Sequence, residues 1–351
     1  MIGVETPENS RIPLYEGSTQ FRHWRFSPEQ LAETRRSLNA AAVAVIRDAF
    51  ESDQVSSKRQ PGSSSQVSFL TADEENLLVK LYLGKIPQLC GIFRFPEEVE
   101  ATAMSYLKRF YLKNTVMDWH PKNVMLTVVF LATKTTNYPI PLDAYASRIP
   151  KTAPDDVLEL EFLVAQSLGF DFTVWHAHRA LWGLWLDIQT LPDIPLDDLS
   201  KAYDGALTNI RASRLTDAEF IYTPSQIALA CLSIASPALA SAWLRSKSGQ
   251  GSDETITTIL EPLQAMILSQ GSLPDVEAVR EVDRRLRLCK NPEKIPGTNA
   301  YNKKVAEKQR KAEEKRLRKA ELQRKAMEDG DPFGSTLAAQ TADLDDDDDD
   351  E

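Results

Sequence analysis

Cysteines and histidines, the side chains most often used to attack bonds or hold transition metals, are few in this chain. Its three cysteines, Cys90, Cys231 and Cys289, are far apart and odd in number. They give no disulfide framework and no zinc spacing, and they suit a reducing compartment. The histidines are His23, His120, His176 and His178. His176 and His178 flank one residue, and on a helix that spacing sends them to different faces, poor for shared metal ligation. His120 precedes Pro121 and reads as a helix cap. The acid pairs Glu97-Glu98 and Asp155-Asp156 stand at predicted helix starts, where negative charge complements the dipole. A glycine-rich phosphate loop, GxSxG, HExxH and CxxC are all missing. No catalytic constellation, metal site, cofactor or small-molecule ligand is expected.

One charged pair reads differently. Glu161, in PDDVLELEFLVAQSLGF (154–170), shares a helical face with Val157, Leu158, Val164 and Ala165. A carboxylate on an apolar face needs a donor or a partner. Lys134 closes a helix that is apolar almost all round, and a cation is favoured at that end of the dipole. Two readings stand side by side. The pair is an internal salt bridge, worth roughly 0–1 kcal/mol if exposed, or both groups also meet a second protein.

The elements that must position these residues are helical, because period-two strand patterns are scarce. Ser27, Pro28 and Gln30 form a capping box with proline at the first helical position, and Phe26 with Leu31 supplies a staple. A helix over 27–50 follows the N-terminal segment 1–26. Residues 51–70 read as a flexible linker. Helices are then expected at 72–93, broken near Pro87, and at 98–115, 121–134, 141–149 and 155–169. A second set lies at 176–190, 197–213, 224–235, 237–246 and 253–269. WHPKNVMLTVVFLA (119–132) and YTPSQIALACLSIA (222–235) share a design of aromatic, cap, proline and apolar helix, with Pro121 and Pro224 103 positions apart. That spacing suits two five-helix units, 71–173 and 174–270, each around one central helix. A further helix falls in 271–290. The charged tail, 291–351, begins as a basic helix or disorder, with eleven Lys or Arg and four Glu over 303–325. It ends in Asp343, Asp345 to Asp350 and Glu351, expected to be disordered.

Composition limits the function classes. A hydrophobic fraction of 42% suffices for sizeable cores, and the formal charge of −10 argues against a general nucleic-acid binder. No apolar run is long enough to span a bilayer, and MIGVETPENS lacks a signal-peptide core. A cytosolic or nuclear protein is expected.

Several stretches resemble the cyclins, and among them the cyclin H branch in its fungal form: STQFRHWRFSPEQL (18–31), TAMSYLKRFYLKNTVM (102–117), HPKNVMLTVVFLATK (120–134), LELEFLVAQSLGFDF (158–172) and YTPSQIALA (222–230). The resemblance spans roughly residues 15–290. It implies an all-α fold of two tandem five-helix cyclin boxes with flanking N- and C-terminal helices. It also implies a non-catalytic regulatory subunit that activates a cyclin-dependent kinase, assembled with a RING-finger subunit into the CDK-activating kinase of general transcription factor IIH. Nuclear localisation and phosphorylation of the RNA polymerase II C-terminal domain follow. In such cyclins the lysine ending the third helix and the glutamate of the fifth contact the kinase. Here these are Lys134 and Glu161, with Leu131, Ala165 and Phe170 at matching apolar positions. Where cell-cycle cyclins carry MRAIL, this chain has Asn76 to Lys80, so the resemblance carries no substrate-docking groove of that kind. The rival reading is a cyclin-fold transcription factor of the TFIIB kind, but the cysteines cannot form its zinc ribbon.

Overall fold

The computed structural model describes residues 13–56, 67–192, 194–247 and 253–328, and no strand occurs among them. By its contacts the chain divides into two units, Met1–Val43 with Ser68–Cys289, and Ala44–Val67 with Lys290–Glu351.

A short helix α1 (Thr19–His23) leads into α2 (Pro28–Ser56), which runs from the first unit into the second. Ser27 Oγ accepts from the Gln30 backbone N–H while Gln30 Oε1 accepts from that of Ser27, satisfying two otherwise orphaned donors. The helix continues six residues past the expected end at Phe50. Nothing in Glu51–Ser56 breaks a helix, and the first proline and glycine come at Pro61 and Gly62. The expected linker 51–70 therefore starts as helix. It also ends as core, because Leu70 is buried and its carbonyl accepts from Asn39 Nδ2. The middle of that stretch, 57–66, lies outside the described residues, as does the acidic run at 343–351.

The first five-helix set contains α3 (Ala72–Leu83), α4 (Ile86–Phe93), α5 (Glu97–Phe110), α6 (Pro121–Thr135), α7 (Leu142–Ala146), α8 (Pro154–Leu158) and α9 (Glu161–Ser167). The stretch expected over 72–93 breaks at Gly84-Lys85, with Pro87 in the first turn of α4, where a missing N–H costs nothing. The expected final helix is likewise two pieces, α8 and α9. Every residue of α6 from Val124 to Thr133 is buried, and α3, α4, α5, α8 and α9 surround it.

The second set repeats the plan with α10 (Ala177–Ile188), α11 (Leu196–Ser213), α12 (Ala218–Ile221), α13 (Pro224–Ala235), α14 (Pro237–Lys247) and α15 (Asp253–Gln270). Thr223 and Gln226 complete a capping box at the start of α13. Its buried Ile227, Ala228, Cys231 and Leu232 pack into one core with Leu184, Ile210 and Leu263. Helix α16 (Val276–Cys289) returns to α3, where Arg285 forms a bidentate pair with Glu74. In the other unit, a 3-10 turn at Pro292–Lys294 precedes α17 (Asn299–Glu328).

The two sets are bonded to each other through α5. Thr102, Ser105, Lys108 and Arg109 are buried polar residues spaced to lie along one side of that helix. Thr102 Oγ1 lies 2.9 Å from His176 Nε2, Ser105 donates to Glu219, and Lys108 donates to the Thr216 carbonyl. At the start of α5, Glu97 pairs with Arg211 and Arg214 while Glu98 meets His178 and Arg179. The acids expected only to complement a dipole thus also join the two sets. The N-terminal segment and α2 tie into the same seam. Arg35 grips Asp217 through two 2.7 Å bonds, and the Gln20 amide pairs with the Trp175 backbone.

Candidate protein-binding face

Lys134 occupies the last turn of α6 and Glu161 the first position of α9, so each charge lies at the helix end that favours it. The chain brings them together across 27 positions, with Nζ and Oε1 2.5 Å apart. Lys134 Nζ also lies 4.5 Å from the centre of the Phe130 ring, a contact that favours a cation. The two side chains remain 42% and 21% exposed. They are partnered, yet still reachable from outside.

The apolar candidates separate. Leu131 and Ala165 are only 6% and 7% exposed and belong to the core beneath the pair. Phe170 is 56% exposed. Its backbone sits at φ 57°, a left-handed conformation that a bulky residue adopts at a cost. Phe162 is 70% exposed and meets Phe170 edge-on, with ring centroids 6.3 Å apart. Exposed Leu158 ends α8 close by in sequence. Leu158 therefore does not share the inward face with Val157 as expected, because the break at Glu159-Leu160 turns Leu160 inward instead. Phe162 was missed by sequence reasoning. Its signal was position: the inward residues are Val157, Leu160, Val164 and Leu168, and a large aromatic off that row must point elsewhere.

The loop after α9 is firmly anchored. Asp171 Oδ2 lies 2.7 Å from His23 Nδ1 and accepts from the Trp24 indole. The Asp171 carbonyl accepts from Arg109, and the Phe172 carbonyl from the Tyr106 hydroxyl. Arg109 in turn stands over the Trp24 ring, 5.0 Å from its centroid. Burial lowers the Arg109 pKa, opposed by the charges of Glu219 and Asp171.

The histidines do not behave as their spacing predicted. His176 precedes α10 in extended backbone, so its ring stacks on His178 with centroids 5.2 Å apart instead of pointing away. Both face Glu98. Burial holds the His176 pKa down at about 3, against the pull of Glu98. Burial also opposes ionisation of Glu98, but the His178 hydrogen bond and neighbouring positive charge outweigh it and bring the carboxyl to about 2. His120 caps α6 as expected, accepting from the Lys122 N–H. Among the described residues no group of three or more His, Cys, Asp or Glu is placed to hold a metal. Burial pushes the Cys90 and Cys231 thiols up to about 12, so neither is a nucleophile at neutral pH.

At Asn76 to Lys80, Leu78 and Val79 turn inward. The cavity beside Asn76 and Val79 is about 30 Å³ and is lined in part by Arg35, Leu38 and Asn39 of α2. That is room for little more than a water molecule.

The arrangement combines an accessible ion pair, two protruding phenyl rings and a braced loop. Comparison with known proteins gives it a lineage. Residues 63–173 match the cyclin N-terminal domain and residues 176–273 the cyclin C-terminal domain. Cyclin CCL1 of Saccharomyces cerevisiae is 36% identical over 69% of this chain and 64% of its own length, just under two thirds of that relative. Cyclin mcs2 of Schizosaccharomyces pombe is 30% identical over 84% of this chain and 90% of its own length. Among solved structures, a chain of the CAK complex from Chaetomium thermophilum bound to ATP-gamma-S superimposes with a TM-score of 0.74 at 29% identity, covering 87% of this chain and 96% of that one. The chain belongs to the cyclin family.

Proposed function

We propose that this cyclin is the non-catalytic activating subunit of a cyclin-dependent kinase of the CDK-activating type. It acts in the nucleus with a RING-finger assembly subunit and other subunits of general transcription factor IIH, on the RNA polymerase II C-terminal domain. The likeness to a CAK chain over nearly that chain's full length supports the kinase class. The observation that carries the reading is the exposed Lys134–Glu161 pair beside Phe162 and Phe170.

The cyclin does no chemistry in this reading. It binds the kinase conformation in which the movable C-helix is swung inward and the lysine–glutamate pair that positions ATP is formed. It shifts that equilibrium only by its differential affinity for the two conformations. Lys134 and Glu161 offer both signs of charge to the kinase backbone and side chains. Phe162 and Phe170 supply apolar area that is desolvated on contact. Leu131 and Ala165 act from beneath, fixing the helix ends that carry the ion pair.

The test separates an internal bridge from a docking pair. Lys134→Glu and Glu161→Lys each weaken kinase co-purification and activation by about tenfold or more. The double swap restores an internal pair of opposite signs, so its thermal stability returns to that of the parent while kinase binding stays impaired. A double swap that regains full activation would show that the pair serves only this chain's own fold.

A further inference from the structure

Helix α5 packs against both α6 and α9, and its Tyr106 is fully buried. The Tyr106 hydroxyl lies 2.6 Å from the Phe172 carbonyl oxygen and 3.0 Å from Thr135 Oγ1. A carbonyl only accepts, so the phenol proton goes to Phe172, and the Thr135 hydroxyl supplies the proton of the second bond. Burial pushes the Tyr106 phenol up to about 12, so the donor keeps its proton at neutral pH.

Both partners adjoin residues of the exposed face. Thr135 follows Lys134 by one peptide bond at the end of α6. Phe172 folds back on Phe170, its N–H donating to the Phe170 carbonyl at 3.0 Å. The rings continue the link. Tyr106 meets Phe172 edge-on with centroids 6.2 Å apart, and Phe172 meets Phe170 at 6.1 Å. With the contact between Phe170 and Phe162, one aromatic row runs from the core to the surface. The Lys134–Glu161 pair also joins α6 to α9, but it is partly exposed, and such pairs fix geometry weakly. A hydrogen bond in the low-dielectric interior is electrostatically stronger.

We propose that the Tyr106 hydroxyl is a positioning group for kinase binding, holding Lys134 and Phe170 in register before the kinase arrives. This rests on the kinase-docking reading of the face. Without the hydroxyl the ring still fills the core and Arg109 still holds the Asp171 carbonyl, so the fold survives. The two halves of the face then lose their common tie, and ordering them is deferred to the moment of binding. Two side chains ordered at that moment correspond to about tenfold in affinity.

Full-length Tyr106→Phe and Thr135→Val each cut the bridge. Tyr111→Phe is the matched control, because the Tyr111 hydroxyl donates to the Trp119 carbonyl at the same 2.6 Å but at the other end of α6. Hydrogen exchange of the free chain, read by mass spectrometry, is expected to quicken in both 134–138 and 170–173 for the bridge variants and in neither for the control. Each chain is then titrated against the catalytic subunit of a CDK-activating kinase, with a peptide of the RNA polymerase II C-terminal domain as substrate. The half-activating concentration is expected to rise about tenfold for the bridge variants, with turnover at saturation unchanged and the control at the parent's value. A merely structural hydroxyl would lower thermal stability in both tyrosine variants and move neither concentration, which overturns the proposal. Unchanged exchange in either stretch overturns it too, as does a control that shifts as far as the bridge variants. If Lys134→Glu and Glu161→Lys leave activation intact, the docking reading itself fails. If they weaken it while the bridge variants match the parent, only the positioning role fails.

Discussion

Phe170 is where backbone cost and exposure coincide. A phenylalanine at φ 57° with 56% of its surface exposed stabilises neither backbone nor core. Glycine adopts that backbone conformation freely. Phe170→Gly is therefore expected to leave thermal stability equal or raised by about 1 kcal/mol, while kinase affinity falls about tenfold. Calorimetry and a kinase titration check the two halves. Phe162→Ala should act alike on affinity, with stability nearly unchanged because the ring is 70% exposed. At this scale the sequence disclosed Lys134 and Glu161, because a lone charge closing an apolar helix is conspicuous. It hid the stacking of His176 on His178, because helical spacing does not apply to a residue that lies before its helix in extended backbone.

At the scale of elements, α5 decides how the two boxes are joined. His176 is buried between them with its pKa near 3. The unfolded chain binds a proton there below the ordinary histidine value of about 6.5, and the folded protein does not. The unfolded state thus holds more protons, and stability falls as pH drops through that value. A loss of about 2 kcal/mol between pH 7 and pH 5 is expected from this group. Denaturant titrations of the parent and of His176→Gln check it, the variant giving the flatter profile. Glu98, held near 2, adds a further loss of the same sign below its ordinary value. The capping boxes at Ser27 and Thr223 were legible locally, since each is complete within four residues. The polar row Thr102, Ser105, Lys108 and Arg109 was equally visible in the sequence. Its partners His176, Thr216 and Glu219 lie 74, 108 and 114 positions away and left no local trace.

At the scale of the first unit, the N-terminal segment stitches the two boxes along their seam. Phe26 donates its N–H to the Phe220 carbonyl, and Trp24, Leu31, Leu112 and Phe220 form a small core of their own. Removing residues 1–26 opens that core and leaves the buried Arg109 without the ring it stands over. Scanning calorimetry is expected to show a lower midpoint and a broadened or split transition, as the boxes lose their common strap. The two-box plan was readable from Pro121 and Pro224, which open the central helices. The course of the N-terminal segment was not, because its contacts come one or two at a time from distant elements.

Asp171 ties these scales together, because the residue held by His23 and Trp24 immediately follows Phe170. The aromatic hook is thus mounted one peptide bond from the anchor of the amino-terminal strand of chain. Substitutions of the buried Trp24, which holds Asp171, are expected to re-aim the Phe170 ring like a hand on a tiller. On the proposed reading, the side chains that hold Asp171 are expected to set part of the strength of the kinase contact.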